Sequence, residues 1–453
     1  VKIAVIGAGL SGLTAAWRLQ QAGHTVSVFE AQSHPGGRVW STTAGGFEID
    51  VGAHMLLDCY DRTRALVDEM GLSDGWFPLE SAEEGGVLRG DRLTSFSPRD
   101  AFDVLRYRGL PLAGRIRLFV ALAAARRFRD DLDFFDLSVG DDKLDNTDCR
   151  TFALDRMGEE ATEYVVDTFI RTFHFHGAHR MSRKYFEALA VLLITRGPFQ
   201  PCALRGYMRA LPEALATRLS MTYDAPVRTV TPGPDGVRVT LPTSERTFDR
   251  VVVATTAETA RRLLPGGTGP RAELLAHAMS SCTATCSIAL PVAIAGGFEG
   301  IWVPFVESQI ISGLSNETSK GSTDGTHCVF TVWLHEEAAS SLLSASDEDI
   351  FATLRGELER LFPRYAGHIT PLHIQRWPEA LPVYGPGQIS RVREFWDGGQ
   401  GEAGIWLCGD YLDHPWVEGA VRCGERVAAG IDVTPGFSPV VAVPRRTSPD
   451  TAS

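Results

Sequence analysis

The opening stretch VKIAVIGAGLSGLTAAWRL (residues 1–19) decides the fold. Four consecutive apolar residues, Ile3 to Ile6, predict a buried strand, and a helix is expected to open at Leu10. Between them lies the turn Gly7-x-Gly9-x-x-Gly12, the form a chain takes to set a dinucleotide pyrophosphate on a helix N-terminus. Gly7 permits the tight turn, Gly9 lets the backbone approach the phosphates, and Gly12 lets helix and strand pack closely. The next strand, HTVSVFE, ends at Glu30, eighteen positions past Gly12, where a carboxylate can take both ribose hydroxyls. Alone, the glycine spacing is weak evidence and is shared with Gly-rich turns of other α/β proteins. With strand, helix and acid in register it is strong.

The rest of the chain bounds what that start can belong to. At 453 residues it exceeds one ordinary domain, and two are expected. A composition 44% hydrophobic and 22% charged is that of a globular protein with a large core. The net charge of −12 argues against a nucleic-acid partner and against general affinity for anionic membranes. Eight scattered cysteines, with no CxxC pair, fit reduced thiols in a cytoplasm. The first strand begins at Lys2, so no signal peptide is expected. The most apolar helix candidate, 110–128, carries four arginines and cannot span a bilayer. Only four of the 44 basic residues are lysines (2, 143, 184 and 320), which reads as coding bias.

Three separated blocks read as one domain. The first is residues 1–75. The second, 205–282, holds a hairpin expected at Val227–Val230 and Val237–Leu241, then FDRVVVATTAETARRLL, an apolar strand running into a helix. Thr255 and Glu258 have capping-box spacing at the start of that helix. The third, 385–434, contains a strand, a Gly409-Asp410 turn and a final amphipathic helix. The expected fold is therefore α/β: a discontinuous Rossmann-type domain with an inserted α+β substrate domain. The insert comprises 76–204, helical by pattern (candidates at 111–128, 151–173 and 182–195), and 283–384, β-rich with a helix at 346–361. The tail, 435–453, reads as disordered.

Past Glu30 come HPGGRVWSTTAGGFEIDVGAHML and, much later, GIWLCGDYLDHPWVEGAVRCGERVAAGI. On these stretches the chain resembles the flavin-containing amine oxidase superfamily, which includes monoamine oxidases, protoporphyrinogen oxidases and phytoene-type desaturases. The resemblance implies FAD in place of NAD, held noncovalently. By the same resemblance, Gly37 and Arg38 meet the pyrophosphate or ribityl chain, and the backbone at Val227 clamps the adenine. Gly409 and Asp410 form a second pyrophosphate contact. Val417 opens the last helix, whose positive end faces the flavin's O2 and N1 edge.

The activity is less sharply written. Trp416 stands where monoamine oxidases carry one ring of an aromatic cage, and Tyr384, in ALPVYGPG, is the candidate for the opposite wall. Each has core packing as its plainer reading. The family's lysine beside N5 is missing from SSCTATCSIAL (280–290), and the nearest lysine, Lys320, lies in what reads as a polar loop. The stretches RWPEALPVYGPGQISRV and TFALDRMGEEATEYVVDTFIRTF look more like protoporphyrinogen oxidases. His176, in HFHGAH, and His54, after Gly52-Ala53, are candidates for the pocket or for a general base, against the plainer reading of backbone-bonded or solvated histidines. No carboxylate or thiolate partner has the spacing to make HFHGAH a metal site, and none is expected.

The expected function is hydride removal from a C–N or C–C unit of a mostly apolar or aromatic small molecule, with molecular oxygen as acceptor. The alternative is a redox-neutral flavin-dependent sugar-nucleotide mutase. A homodimer is an open option, and an integral membrane position is not expected.

Overall fold

The computed structural model describes residues 1–79, 85–96, 102–197, 199–296, 298 and 300–431. The sequence-defined tail lies outside them. At its centre is a five-stranded parallel sheet in the order Met221–Thr222, Thr25–Phe29, Lys2–Ile6, Arg250–Val253, Ile405–Leu407. Strands from three distant parts of the chain thus pair directly: Ile3 with Arg250, Lys2 with Thr25, and Val251 with Ile405. The two central strands, KIAVI and RVVV, are buried from their second residues onward, as parallel strands covered on both faces require. The last helix, Val417–Ile431, packs along the first, Leu10–Gln21.

A second sheet of seven strands faces it across the molecule. Its order is Thr370–Trp377, Thr283–Pro291, His327–Leu334, Ile311–Asn316, Gly300–Trp302, Gly86–Arg89, Arg92–Ser95. The pairing is antiparallel except between Gly300–Trp302 and Gly86–Arg89. The strand TATCSIALP, second from one edge, is buried over all but its last residue. Helices Leu112–Ala125, Cys149–Met157, Thr168–His174 and Arg183–Arg196 form the remaining layer. The molecule is the α/β fold with an α+β insert that the sequence predicts. Among the described residues, no helix is long and apolar enough to cross a membrane.

Three local expectations change. The helix expected over 151–173 breaks at Gly158, whose φ is +86°, and resumes through a π-helical turn at Thr162–Asp167. The hairpin starts two residues late, at Thr229–Gly233 and Gly236–Thr240, and gains a third strand at Glu245–Phe248. The capping box does not form. Thr256 caps helix Ala257–Leu263 without a side-chain bond, Thr255 donates to the Thr256 carbonyl, and Glu258 pairs with Arg261.

Candidate active site

A single cavity of about 1500 Å³ runs from the carboxyl ends of the parallel strands to the seven-stranded sheet and the helices. This is the end of an open α/β sheet at which ligands bind. Nine of the ten residues expected to hold a cofactor line it: Gly7, Gly9, Glu30, Gly37, Arg38, Val227, Gly409, Asp410 and Val417. The tenth, Gly12, lies behind the turn and acts by being small. A Cβ there would sit 2.1 Å from the Gly7 carbonyl oxygen.

The first turn is built to approach a ligand. Gly7 has φ +100°, a conformation L side chains rarely adopt, and closes the turn by donating its N–H to Phe29 O at 2.8 Å. Gly9, in contrast, has nothing within 4 Å of an added Cβ, which leaves room for phosphate against the N-terminus of the first helix. Glu30 is buried and fixed by two backbone donors, Ala8 N at 2.6 Å and Gln32 N at 2.9 Å. The segment carrying Val227 runs back along it, with Ala225 N donating to Glu30 O at 2.8 Å.

Arg38 and Asp410 meet. The Arg38 guanidinium donates to Asp410 Oδ1 and to the Ala380 carbonyl, each at 2.8 Å. Sequence reasoning assigned the two residues separately and missed the pair, because 372 positions separate them. The pair fixes the Arg38 guanidinium at the wall of the cavity that Val417, the first residue of the last helix, also lines. An open Gly9, a pre-fixed acid at Glu30, an anchored cation at Arg38 and a positive helix end at Val417 are the donor set a diphosphate-bridged dinucleotide requires. The residues fit FAD.

The expected catalytic residues fare unequally. Trp416 lines the cavity and packs against Phe134, with ring centroids 5.0 Å apart, and His174 at 5.6 Å. His54 also lines it. Tyr384 does not: it is 3% exposed, and its hydroxyl donates to the Asp410 carbonyl at 2.8 Å, turning the phenol into a support behind the cofactor turn. His176 is likewise behind the wall, its Nδ1 at 3.0 Å from Gly177 O, while its neighbour Phe175 faces the cavity. Burial pulls the His176 imidazole down to about 4, so it stays neutral near pH 7. Tyr384→Phe should therefore cost about 1 kcal/mol, because Asp413 N still donates to the Asp410 carbonyl. A thermal midpoint lowered by about 2 °C with kcat/KM unchanged within about twofold is the expected pair of readings. A large fall in kcat/KM would restore Tyr384 to the substrate wall.

The sequence reading of Lys320 needs correction. The polar stretch folds into a short helical turn, Glu317–Lys320, where the Lys320 side chain is 4% exposed and lines the cavity. Its ammonium lies 2.5 Å from Glu317 Oε2 and 3.1 Å from Asp50 Oδ2. Burial pushes the Glu317 carboxyl up, but the Lys320 ammonium and His54 outweigh it and hold the group down to about 2. Asp50 Oδ1 accepts from Ser41 Oγ at 2.6 Å and Met208 N at 3.0 Å. The polar run SNETSKGSTDGT hid this cluster. The i, i+3 spacing of Glu317 and Lys320 was its one visible sign.

Comparison with known proteins agrees with this site. A model of the flavin-containing amine oxidoreductase family matches residues 10–432. The chain is 24% identical to coproporphyrinogen III oxidase of Mycobacterium tuberculosis over 457 aligned positions, covering 94% of this chain and 96% of that one. Among solved structures, putrescine oxidase bound to putrescine superposes with a TM-score of 0.75 at 19% identity, covering 95% of this chain and 99% of that one. Cyclohexylamine oxidase from Brevibacterium oxydans IH-35A gives a TM-score of 0.75 at 18% identity over 95% and 98%. The glycine turn, the fixed acid, the Arg38–Asp410 pair and the near-complete family match lead to one statement: this chain is an FAD-dependent oxidoreductase and belongs to the flavin-containing amine oxidoreductase family.

Proposed function

We propose that the protein oxidises a mostly apolar, ring-containing small molecule at a C–N or C–C unit, with molecular oxygen as the final acceptor. FAD, when bound, supplies the two-electron acceptor for a hydride. The chain's own residues bind and orient the substrate and exclude water. The observation that carries this reading is the lining of the substrate arm: Phe169, Phe173, Phe175, Leu189, Trp302 and Trp416. Such a wall gains by burying apolar area and aligning flat rings.

Charge decides between substrate classes. Among the described residues lining the cavity, the carboxylates are Glu30, Glu379 and Asp410. Glu30 is held by backbone amides, Asp410 by Arg38, and Glu379 lies 3.7 Å from Arg262. Of these three, Glu379 alone keeps a buried oxygen, Oε2, without a hydrogen-bond partner, which is thin provision for the two ammonium groups of a small diamine. A macrocycle with an uncharged, flat-ringed core and no ammonium group fits better, and the full-length likeness to a coproporphyrinogen III oxidase supports a porphyrinogen-type substrate. The mutase alternative has no comparable support, since the substrate arm is walled by Phe169, Phe173, Phe175, Trp302 and Trp416 in place of the converging arginines a nucleotide diphosphate would need.

Anaerobic mixing with coproporphyrinogen III, putrescine or cyclohexylamine tests the proposal. Coproporphyrinogen III should bleach the oxidised flavin band, and admitting air should restore it. In the same assay Trp416→Ala should lower kcat/KM by about 10- to 100-fold, with Trp416→Phe close to wild type. Silence with all three compounds overturns the reading, and faster bleaching by an amine replaces it with amine oxidation.

A further inference from the structure

Among the described residues, the cavity wall holds a histidine whose two ring nitrogens its surroundings leave unused. His54 is 7% exposed, lines the cavity, and neither ring nitrogen has a hydrogen-bond partner among the described atoms. Nδ1 lies 3.4 Å from Glu317 Oε1, at the far edge of hydrogen-bond reach, and the ring meets Trp333 edge-on at 5.1 Å. Ala53 N donates to Arg38 O at 2.8 Å, so His54 hangs one residue from the segment that carries the cofactor-side cation. The other cavity histidine, His34, is occupied: its Nδ1 is 2.9 Å from Pro35 O, and it stacks on Trp40 at 4.1 Å.

We infer that His54 is the proton acceptor of the oxidation and that Glu317, clamped by Lys320, which Asp50 holds in turn, is its positioning residue. This rests on the functional reading above. Oxidising a porphyrinogen removes a hydride from a bridging carbon and a proton from a neighbouring pyrrole N–H. The bridging carbon gives its hydrogen with both bonding electrons to the flavin, pyrrole π electrons shift to form the bridging C=C bond, the N–H bonding pair is kept by nitrogen to complete the ring C=N, and the proton passes to His54 Nε2. With Nδ1–H turned toward the Glu317 carboxylate, Nε2 presents its lone pair to the cavity, and the imidazolium that forms is balanced by that carboxylate.

The charges around His54 explain why the carboxylate is dependable. The turn 317–320 contributes Glu317 and Lys320, the strand Phe47–Asp50 contributes Asp50, and Tyr207 faces Ser322 beyond them. Strand His327–Leu334 presents the uncharged Trp333. Lys320 sits between two acids, and it is Glu317, not Lys320, that faces the imidazole.

Three variants and two readouts test the inference. With coproporphyrinogen III as the probe, His54→Gln should slow anaerobic flavin reduction by about 100-fold or more and abolish the acidic limb of the rate against pH. Glu317→Gln should slow it by about 10-fold and move that limb to lower pH, and Glu317→Asp should recover most of the loss. Independently of turnover, nitrogen-15 spectra of ring-labelled histidine, in flavin-free and flavin-loaded protein, should show His54 as the Nδ1–H tautomer. In Glu317→Gln that preference should be lost. A flavin-replete His54→Gln within about threefold of wild type, with the same limb, overturns the proposal. Unchanged His54 resonances in Glu317→Gln also overturn it. If wild type reduces with no probe, the functional reading fails, and the nitrogen-15 result alone decides the positioning role.

Discussion

Gly12→Ala is expected to purify without flavin and to unfold at a markedly lower temperature than wild type. The added Cβ would lie 2.1 Å from Gly7 O and 2.9 Å from the Ala254 Cβ. Neither neighbour is the far end of a flexible side chain. Gly7 is locked by its own turn, and Ala254 is held by its N–H bond to Ile6 O at 2.8 Å. Relief requires moving the first helix off the sheet, at about 3 kcal/mol, the upper end for overpacking a tight core. The same displacement carries the helix N-terminus away from the pyrophosphate, so flavin affinity should fall by about 100-fold or more. Gly9→Ala separates the two effects. Its Cβ meets nothing in the protein, and its φ of −64° suits alanine. It should keep apoprotein stability within about 1 kcal/mol while losing flavin, because the methyl occupies phosphate space. The ratio of visible to ultraviolet absorbance and the thermal midpoints of both apoproteins check the pair. A yellow, wild-type-stable Gly12→Ala would show that the turn does not set the cradle.

What the sequence made legible is what local sterics dictate. A glycine needed at φ +100°, a glycine needed for close packing, and an apolar run buried on both faces leave marks within a few residues of where they act. The parallel sheet and the cofactor end of the cavity follow from such marks. Contacts between distant side chains leave none. Arg38 and Asp410 each suggested a phosphate contact, yet nothing in either neighbourhood indicates that they bind each other. Glu418 lies in the first turn of the last helix, yet its carboxylate accepts from Arg62 N at 2.9 Å and Thr63 N at 2.8 Å, capping a different helix, Asp61–Glu69. Tyr384 and His176 were chosen as chemically capable residues in the right segments. Their neighbours Asp410 and Gly177 took up that capability, leaving Phe175 at the wall. Lys320 was misread because polarity along a chain predicts exposure only when charges lack buried partners.

Lys320→Met should be the most destabilising single change at the cavity. It removes a cation flanked by Asp50 and Glu317, whose side chains are each 1% exposed. Methionine fills much of the volume but leaves two buried carboxylates facing each other's field. Breaking a buried pair from one side costs about 3–5 kcal/mol at neutral pH. The pH dependence identifies the cause. In the wild type, Glu317 is held down to about 2, so its stabilising contribution is full above the ordinary carboxylate range and is lost as pH falls from there through about 2. Lys320 is pushed down by burial but raised overall by Glu317 and Asp50, so its contribution is full below the ordinary ammonium range and lost only as pH rises through the raised value. In the variant, burial acts on Glu317 without the ammonium to oppose it, so the group takes up a proton at a higher pH than before. Protonation removes the uncompensated charge. The variant's deficit should therefore be largest near neutrality and shrink as pH falls. Thermal midpoints of the flavin-loaded proteins at about pH 7.5 and about pH 5 measure it. Equal deficits at the two pH values would trace the loss to packing, and no deficit at either would mean that the cluster is wet and the cavity wall open to solvent there.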